Sequence, residues 1–274
     1  MENWYVSQNS AVTLGLPFYS NTNLSHLKQA IDSILNQSHV PEAIHLLQDG
    51  PVSKELSYLV EDYKQKNEQI EHIIFSQNQG LPYVLNYSIL HSVTSYYARM
   101  DSDDIAHPER IEKQRIYLEE NPGIDILGTE AWEFTGDPWK EECFLKKMPA
   151  DPSGIESLFH YRSPLIHPSV MFRRSVFAKI GLYNVKFYTE QDLELWSRAL
   201  QMKVGITNLQ EPLLYYRDMG MVNRRSELER LLRQFKARYA YNTWSPRLNA
   251  LKIASLVFRV MPAFVRKWGY KRLR

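Results

Sequence analysis

Asp101, Asp103 and Asp104 stand within four residues in YYARMDSDDIAHPER, Tyr96 to Arg110, directly after an aromatic run that reads as a buried strand. Crowded carboxylates repel and raise one another's pKa. A chain that keeps them together compensates somewhere. A divalent cation bridging phosphates is one compensation, because hard cations take oxygen ligands and leave room for phosphate and water. A solvated turn capping the next helix is the other, and Asp104, just ahead of PERIEKQ, suits that cap. The spacing alone leaves both open. Asp49 closes AIHLLQDG on an Asp-Gly turn, and Asp192, with Glu190 two residues before it, opens EQDLELWSRAL. A carboxylate at a helix start can act as a general base or simply suit the helix dipole. Cys143 is the single cysteine, which rules out an intrachain disulfide and a cysteine zinc site. Neither GxGxxG nor a GKS/T loop is present, so a dinucleotide or P-loop site is unsupported.

The elements around these residues alternate. AVTLGLPF reads as a strand ending near Pro17, followed by a helix capped by Thr22 or Asn23 with Leu24, Leu27, Ile31, Ile34 and Leu35 on one face. AIHLLQDG is a strand. SKELSYLVEDYKQK is a helix, EHIIFS a strand, LPYVLNYSILHSV a helix with Pro82 in its first turn, and SYYARM a strand. A helix starting on Pro108 and a strand IDILGT complete about 130 residues of strand–helix alternation. That is the pattern of a mostly parallel α/β sheet with helices on both faces. In such sheets ligands sit beyond the carboxyl ends of the strands, which brings Pro17–Ser20, Asp49-Gly50 and Asp101–Asp104 to one crevice. After residue 130 the alternation fades. A loop or hairpin, a short helix SGIESLFHYR, a strand and helix closed by Gly181, and the EQDLELWSRAL helix follow.

Charge is unevenly spread. The net of +2 hides 12 lysines and arginines and no acids from Arg230 onward, against 21 basic and 31 acidic groups before it, a net of −10. A basic tail on an acidic body points to an anionic partner. Residues 247–274 mix eight basic groups with apolar ones, and Trp268 and Tyr270 suit a membrane interface. Arg259 and Pro262 interrupt any span, so the expectation is an amphipathic helical tail on an anionic membrane surface. A basic helix packed on the domain is the plainer reading. No nucleic-acid module accompanies the charge, so no nucleic acid is expected. MENWYVSQNS lacks the basic and apolar regions of a secretory signal, so none is expected.

The order of blocks resembles family 2 glycosyltransferases of the GT-A fold: a strand ending LPFYS, then SILNQS, QDGPV, NQGL…LN, ARMDSDD…PERIEKQ, HPSVMFRR and EQDLELWSRAL. Within that family the likeness is to bacterial enzymes of exopolysaccharide and O-antigen assembly, the amylovoran type. It covers roughly residues 11–217. The resemblance implies a nucleotide-sugar donor, UDP-linked by family habit, Mn²⁺ or Mg²⁺, and a glycan or lipid-linked saccharide as acceptor. It implies residues 1–130 as a nucleotide-binding half, 131–217 as an acceptor half and 218–274 as the helical tail. Asp49 matches the residue that recognises the base, with Pro17 and Tyr19 bordering it. Asp101 and Asp103 match the DxD pattern, Asp103 binding the metal and Asp101 facing the ribose or a metal-bound water. Asp192 matches the catalytic base of an inverting transfer, and His167 a histidine near the diphosphate or the acceptor. An enzyme of this kind is expected in the cytoplasm, peripheral on the inner face of the bacterial plasma membrane.

Three departures matter. Gln48-Asp49-Gly50-Pro51 stands where the family often has Asp-Asp-Gly-Ser. Asn86 matches a donor-side asparagine, but Leu85 stands where many relatives carry an arginine before it, and Arg99 is the candidate to replace that charge at the donor. Gln191 stands where a second carboxylate usually precedes the base. Trp132, Trp139 and Trp196 can line an acceptor sugar, with core packing the default for Trp196. Two rivals have a residue basis. A DxDx(T/V) phosphohydrolase would use Asp101 as nucleophile, but Ile105 occupies its last position. A sugar-nucleotide-binding subunit without turnover would not need Asp192.

Overall fold

The computed structural model describes residues 10–218 and 228–261. The first half runs as expected. β1 (Val12–Tyr19), β2 (Ala43–Asp49), β3 (Ile70–Phe75) and β4 (Tyr96–Arg99) alternate with α1 (Leu24–Leu35), α2 (Lys54–Lys66) and α3 (Leu81–His91). The β3–β2–β1–β4 ladders are all parallel. Asn23 caps α1, its Oδ1 accepting from the Ser25 and His26 amides at 2.9 and 3.2 Å. Leu27, Ile31 and Ile34 face the core, but Leu24 is exposed. Its turn stands at the mouth of a cleft whose wall includes Thr22 and Asn23.

The chain then departs from simple alternation. Ile105–Ala106 form a two-residue strand, β5, and α4 (Arg110–Glu120) begins two residues after Pro108. β6 (Ile126–Phe134) and β7 (Phe144–Lys146) make a hairpin, the second of the two forms expected there. α5 (Pro152–Phe159), a 3-10 turn at His167–Ser169, β8 (Met171–Arg173), α6 (Val176–Ile180) and α7 (Gln191–Gln201) follow. Gly181 closes α6 at φ 73. β9 (Ile206–Arg217), not anticipated from the sequence, pairs parallel with β6 and antiparallel with β5. The sheet order is β3-β2-β1-β4-β8-β6-β9-β5, with β7 on β6. One core, including Leu14, Ile31, Val60 and Ile111, lies under α1, α2 and α4; the other, including Val84, Phe172 and Trp196, lies under α3, α6 and α7.

α8 (Leu228–Ala240) and α9 (Pro246–Val260) follow. Ala237 of α8 belongs to the second core, and Arg238 is buried with its guanidinium on the Phe159 carbonyl. Lys252 of α9 is fully buried, its Nζ donating to the Arg238 and Tyr241 carbonyls and Asn242 Oδ1 at 2.7–2.9 Å. The C-terminal part of the expected membrane segment, with Trp268 and Tyr270, lies outside the described residues.

Candidate active site

Parallel strands put the ends of β1, β2 and β4 on one edge of the sheet. Pro17, Tyr19 and Asp49 there share a cleft of about 510 Å³ with Asp101 and Asp103. Tyr19 is 44% exposed, free to present its ring to a flat ligand. Asp49 is nearly buried, and its two carboxylate oxygens accept from the Gln79 and Gly80 amides at 2.6 and 3.0 Å. An ionised carboxylate offers about four acceptor positions, so the loop uses two and leaves two. Gly50 lies at φ +85, where a Cβ would come within 2.7 Å of the Asn78 nitrogen. The Asp-Gly turn and a base-recognising carboxylate are therefore both accommodated.

One carboxylate oxygen from each of Asp101, Asp103 and Asp104 lies within 4.8 Å of the others. Burial, then the Asp101 charge, raises the Asp103 carboxyl above its ordinary range. Asp104 is pushed well up by burial, then by Asp101 and Asp103. Asp104 does not cap α4, because β5 separates it from that helix. Its Oδ1 accepts the Arg217 amide at 2.8 Å, and its buried Oδ2 has no hydrogen-bond partner among the described residues. Repelling carboxylates and an unsatisfied oxygen fit a hard dication, whose preferred ligands are carboxylate oxygens.

Arg99 lies beneath this cluster, fully buried, with Nη2 donating to Asp101 Oδ1. Its Nε and Nη1 have no hydrogen-bond partner among the described residues. The guanidinium acts electrostatically on Asp192, Tyr183 and His167 as well as on the aspartates. Its positive charge is felt both by the acidic cluster and by Asp192 in the first turn of α7. Asp192, in that turn, is pushed up to about 6, first by burial and then by Glu190, while the Leu193 amide and Arg99 pull the other way. Glu190 precedes it in the left-handed region at φ 63.

Two expected donor contacts lie elsewhere. Asn86 is engaged with the loop ahead of α7: its Nδ2 donates to the Tyr183 carbonyl at 2.8 Å and its Oδ1 accepts the Tyr183 amide at 2.9 Å. It is absent from the cleft wall. His167 Nε2 bonds Tyr183 Oη at 2.9 Å, and burial, then Arg99, holds the imidazole well below its usual pKa and hence neutral. Among the tryptophans, Trp196 is core, edge-on to His167, whereas Trp139 is 67% exposed.

The sequence reading missed Arg217. Its side chain lines the cleft, donates from Nε to the Asp103 carbonyl at 2.8 Å and from Nη2 to Gln29 Oε1 at 2.8 Å, and lies over the Phe134 ring. It also missed the buried pair Arg110 and Gln114. Arg110 Nη2 donates to the Arg99 carbonyl at 2.8 Å and Nε to Gln114 Oε1 at 3.1 Å. Gln114 Nε2 donates to the Leu127 and Ser169 carbonyls at 3.1 and 2.8 Å. The i, i+4 spacing of Arg110 and Gln114 was visible; their burial was not.

A family model described as Glycosyl transferase family 2 matches residues 13–181. The chain is 30% identical over 211 residues to the amylovoran biosynthesis glycosyltransferase AmsE of Erwinia amylovora, covering 77% of each protein. It is 27% identical over 252 residues to an Escherichia coli UDP-Gal:alpha-D-GlcNAc-diphosphoundecaprenol beta-1,3-galactosyltransferase, covering 90% of each. Among solved structures it resembles S. aureus TarS 1-349 in complex with UDP-GlcNAc, with a TM-score of 0.66 at 15% identity, covering 91% of this chain and 72% of that one. At that identity the likeness is one of fold.

Proposed function

The chain belongs to glycosyl transferase family 2, and on that premise we propose that it moves a sugar, with inversion, from a nucleotide-sugar donor to a hydroxyl of a glycan or lipid-linked saccharide. It is a glycosyltransferase of GT-A fold; the donor, the acceptor, the metal and the stereochemistry are our reading. A UDP-linked donor is favoured because the E. coli relative's name specifies UDP-Gal and the TarS structure holds UDP-GlcNAc. Synthesis of a bacterial surface polysaccharide is favoured by the AmsE likeness.

In this reading residues 1–130 hold the donor, 131–217 the acceptor, and 218–274 form a helical arm. Asp49 recognises the base with its two remaining acceptor positions, while Pro17 and Tyr19 border the ring. Asp101, Asp103 and Asp104 would hold Mn²⁺ or Mg²⁺, which when bound neutralises charge on the departing nucleoside diphosphate. Arg99 keeps Asp101 oriented and adds positive charge beneath the site. Asp192 accepts the proton of the acceptor hydroxyl as that oxygen bonds to the anomeric carbon and the bond to the phosphate oxygen opposite it breaks. A neutral His167 holds the Tyr183 phenol beside Asp192 rather than serving as a proton donor. The supporting observation is the pairing of a cleft carrying Asp49, Asp101 and Asp103 with a carboxylate raised to about 6, both under the charge of the buried Arg99.

The arm would place the enzyme on an anionic membrane surface through residues 247–274. No helix among the described residues is long and apolar enough to cross a membrane. α9 turns Lys252 inward and leaves Ala250, Ile253, Ala254, Val257 and Met261 exposed at helical spacing. Such a stripe, on a segment without acids, suits peripheral binding at the inner face of the membrane.

Calorimetric titration with UDP, GDP, CDP and dTDP, with and without Mn²⁺, tests the reading, with Asp103→Ala alongside. Metal-dependent binding of one diphosphate, lost in the variant, is the expected result. Absence of binding to all four, with and without metal, would overturn the donor-site assignment.

A further inference from the structure

The segment between α6 and α7 carries the approach to Asp192, and α8 grips its end. Its start is tied down by Asn86 on both polar groups of the Tyr183 backbone and by Arg198, whose Nη2 donates to the Leu182 carbonyl at 2.7 Å. Its middle is a turn, Phe187 N to Asn184 O at 2.9 Å, with Val185 exposed. Arg233 meets its end from α8. Nε donates to Thr189 Oγ1 at 3.0 Å, Nη1 donates to Tyr188 Oη at 2.6 Å, and the guanidinium carbon lies 4.0 Å from the Tyr188 ring centre. A planar fork that satisfies two acceptors and covers a ring fixes position as well as distance.

The helix carrying Arg233 is anchored to the body. One turn further along α8, Ala237 is in the core and Arg238 is buried on the Phe159 carbonyl. Gln201, the last residue of α7, donates to the Ala240 carbonyl at 2.7 Å. What Arg233 holds is also exacting. Directly after Thr189 comes Glu190 in the left-handed region at φ 63, a conformation that a non-glycine residue rarely adopts and keeps only where its surroundings enforce it. Asp192 follows two residues later.

We propose that Arg233 is a positioning residue for transfer: acting from α8, it fixes Tyr188 and Thr189, and through the Glu190 turn sets the aim of the Asp192 carboxylate. The helical arm is then part of the catalytic apparatus as well as an appendage. The proposal rests on Asp192 being the base.

The test compares the full chain with Arg233→Ala, Arg233→Lys and Thr189→Val. Amide hydrogen exchange of residues 184–191, UDP binding, thermal melting and UDP release from UDP-GlcNAc and UDP-galactose are measured. Arg233→Ala is expected to speed exchange across 184–191 with melting and UDP affinity unchanged. Its turnover should fall on the order of 10- to 100-fold, the range a small misplacement costs, in kcat rather than in donor KM. Lysine cannot reproduce the fork and should recover only part, and Thr189→Val should fall between. Exchange or turnover in Arg233→Ala equal to the parent would overturn the proposal. A parent that neither binds UDP nor releases it would sink the donor reading instead, and the exchange comparison would still decide the clamp.

Discussion

Asp192 is placed where its charge is costly and where a base is useful. Its carboxyl titrates near 6 in the folded chain against an ordinary 3.8. The folded state therefore holds this proton between those values and the unfolded chain does not. Stability from this group is present below about pH 4 and is lost as pH rises through 6. Replacing Asp192 with Asn should remove that loss, raising unfolding stability at pH 8 by up to about 3 kcal/mol, with little gain at pH 4, by urea denaturation at both values. The same change should lower kcat by ~10²–10⁴-fold. In the parent, transfer should fall as pH drops through about 6, because protonated Asp192 cannot accept the acceptor's proton. A flat pH profile between 5 and 8 would count against Asp192 as the base. Asp104 obeys a different logic. Its Oδ1 serves the Arg217 amide, so Asp104→Ala should cost ~1–3 kcal/mol by stranding that buried N–H. Asp104→Asn keeps an acceptor and removes the repelling charge, so in metal-free buffer it should be at least as stable as the parent.

The strands whose ends line the cleft were legible because each has a local signature: an apolar run, then Pro17, Asp49-Gly50 or the aspartates. β9 was not legible. It contains Pro212 and the polar run Asn208, Gln210 and Glu211, features that argue against a central strand. It fits because its register against β6 shifts between Thr129 and Ala131, where Glu130 pairs with Pro212. Only that irregular ladder brings Arg217 to the aspartates. α4 teaches the same point in reverse. The sequence announced a helix from Pro108, but Arg110 and Gln114 look like a surface pair until β4, β6 and the His167–Ser169 turn surround them. Gln114→Ala would strand the Leu127 and Ser169 carbonyls and Arg110 Nε together. The expected cost is about 3 kcal/mol or more by chemical denaturation, with weakened UDP binding because the Arg99 backbone loosens.

Across the whole molecule, charge and shape divide at the same place. The chain before Arg230 carries a net of −10, and the 12 basic residues from Arg230 onward have no acid in their own segment. Periodicity alone left α9 open to two orientations, with its apolar stripe inward or outward. Lys252 decides between them: its ammonium closes the end of α8 through two carbonyls, which turns Ile253 and Val257 outward at 54% and 49% exposure. Trp244 is fully exposed in the connection between the helices. Anionic lipid would cover the stripe and neutralise the arm together, since basic residues near such a surface contribute about 1 kcal/mol each and the attraction is screened by salt. The full chain should therefore float with vesicles rich in phosphatidylglycerol and not with phosphatidylcholine alone, and should release as salt is raised. Ile253→Asp with Val257→Asp should abolish flotation while leaving UDP binding intact, because neither residue touches the cleft or the hold of Lys252 on α8. Equal flotation with neutral lipid, or flotation that survives both substitutions, would show that this face is not what meets the membrane.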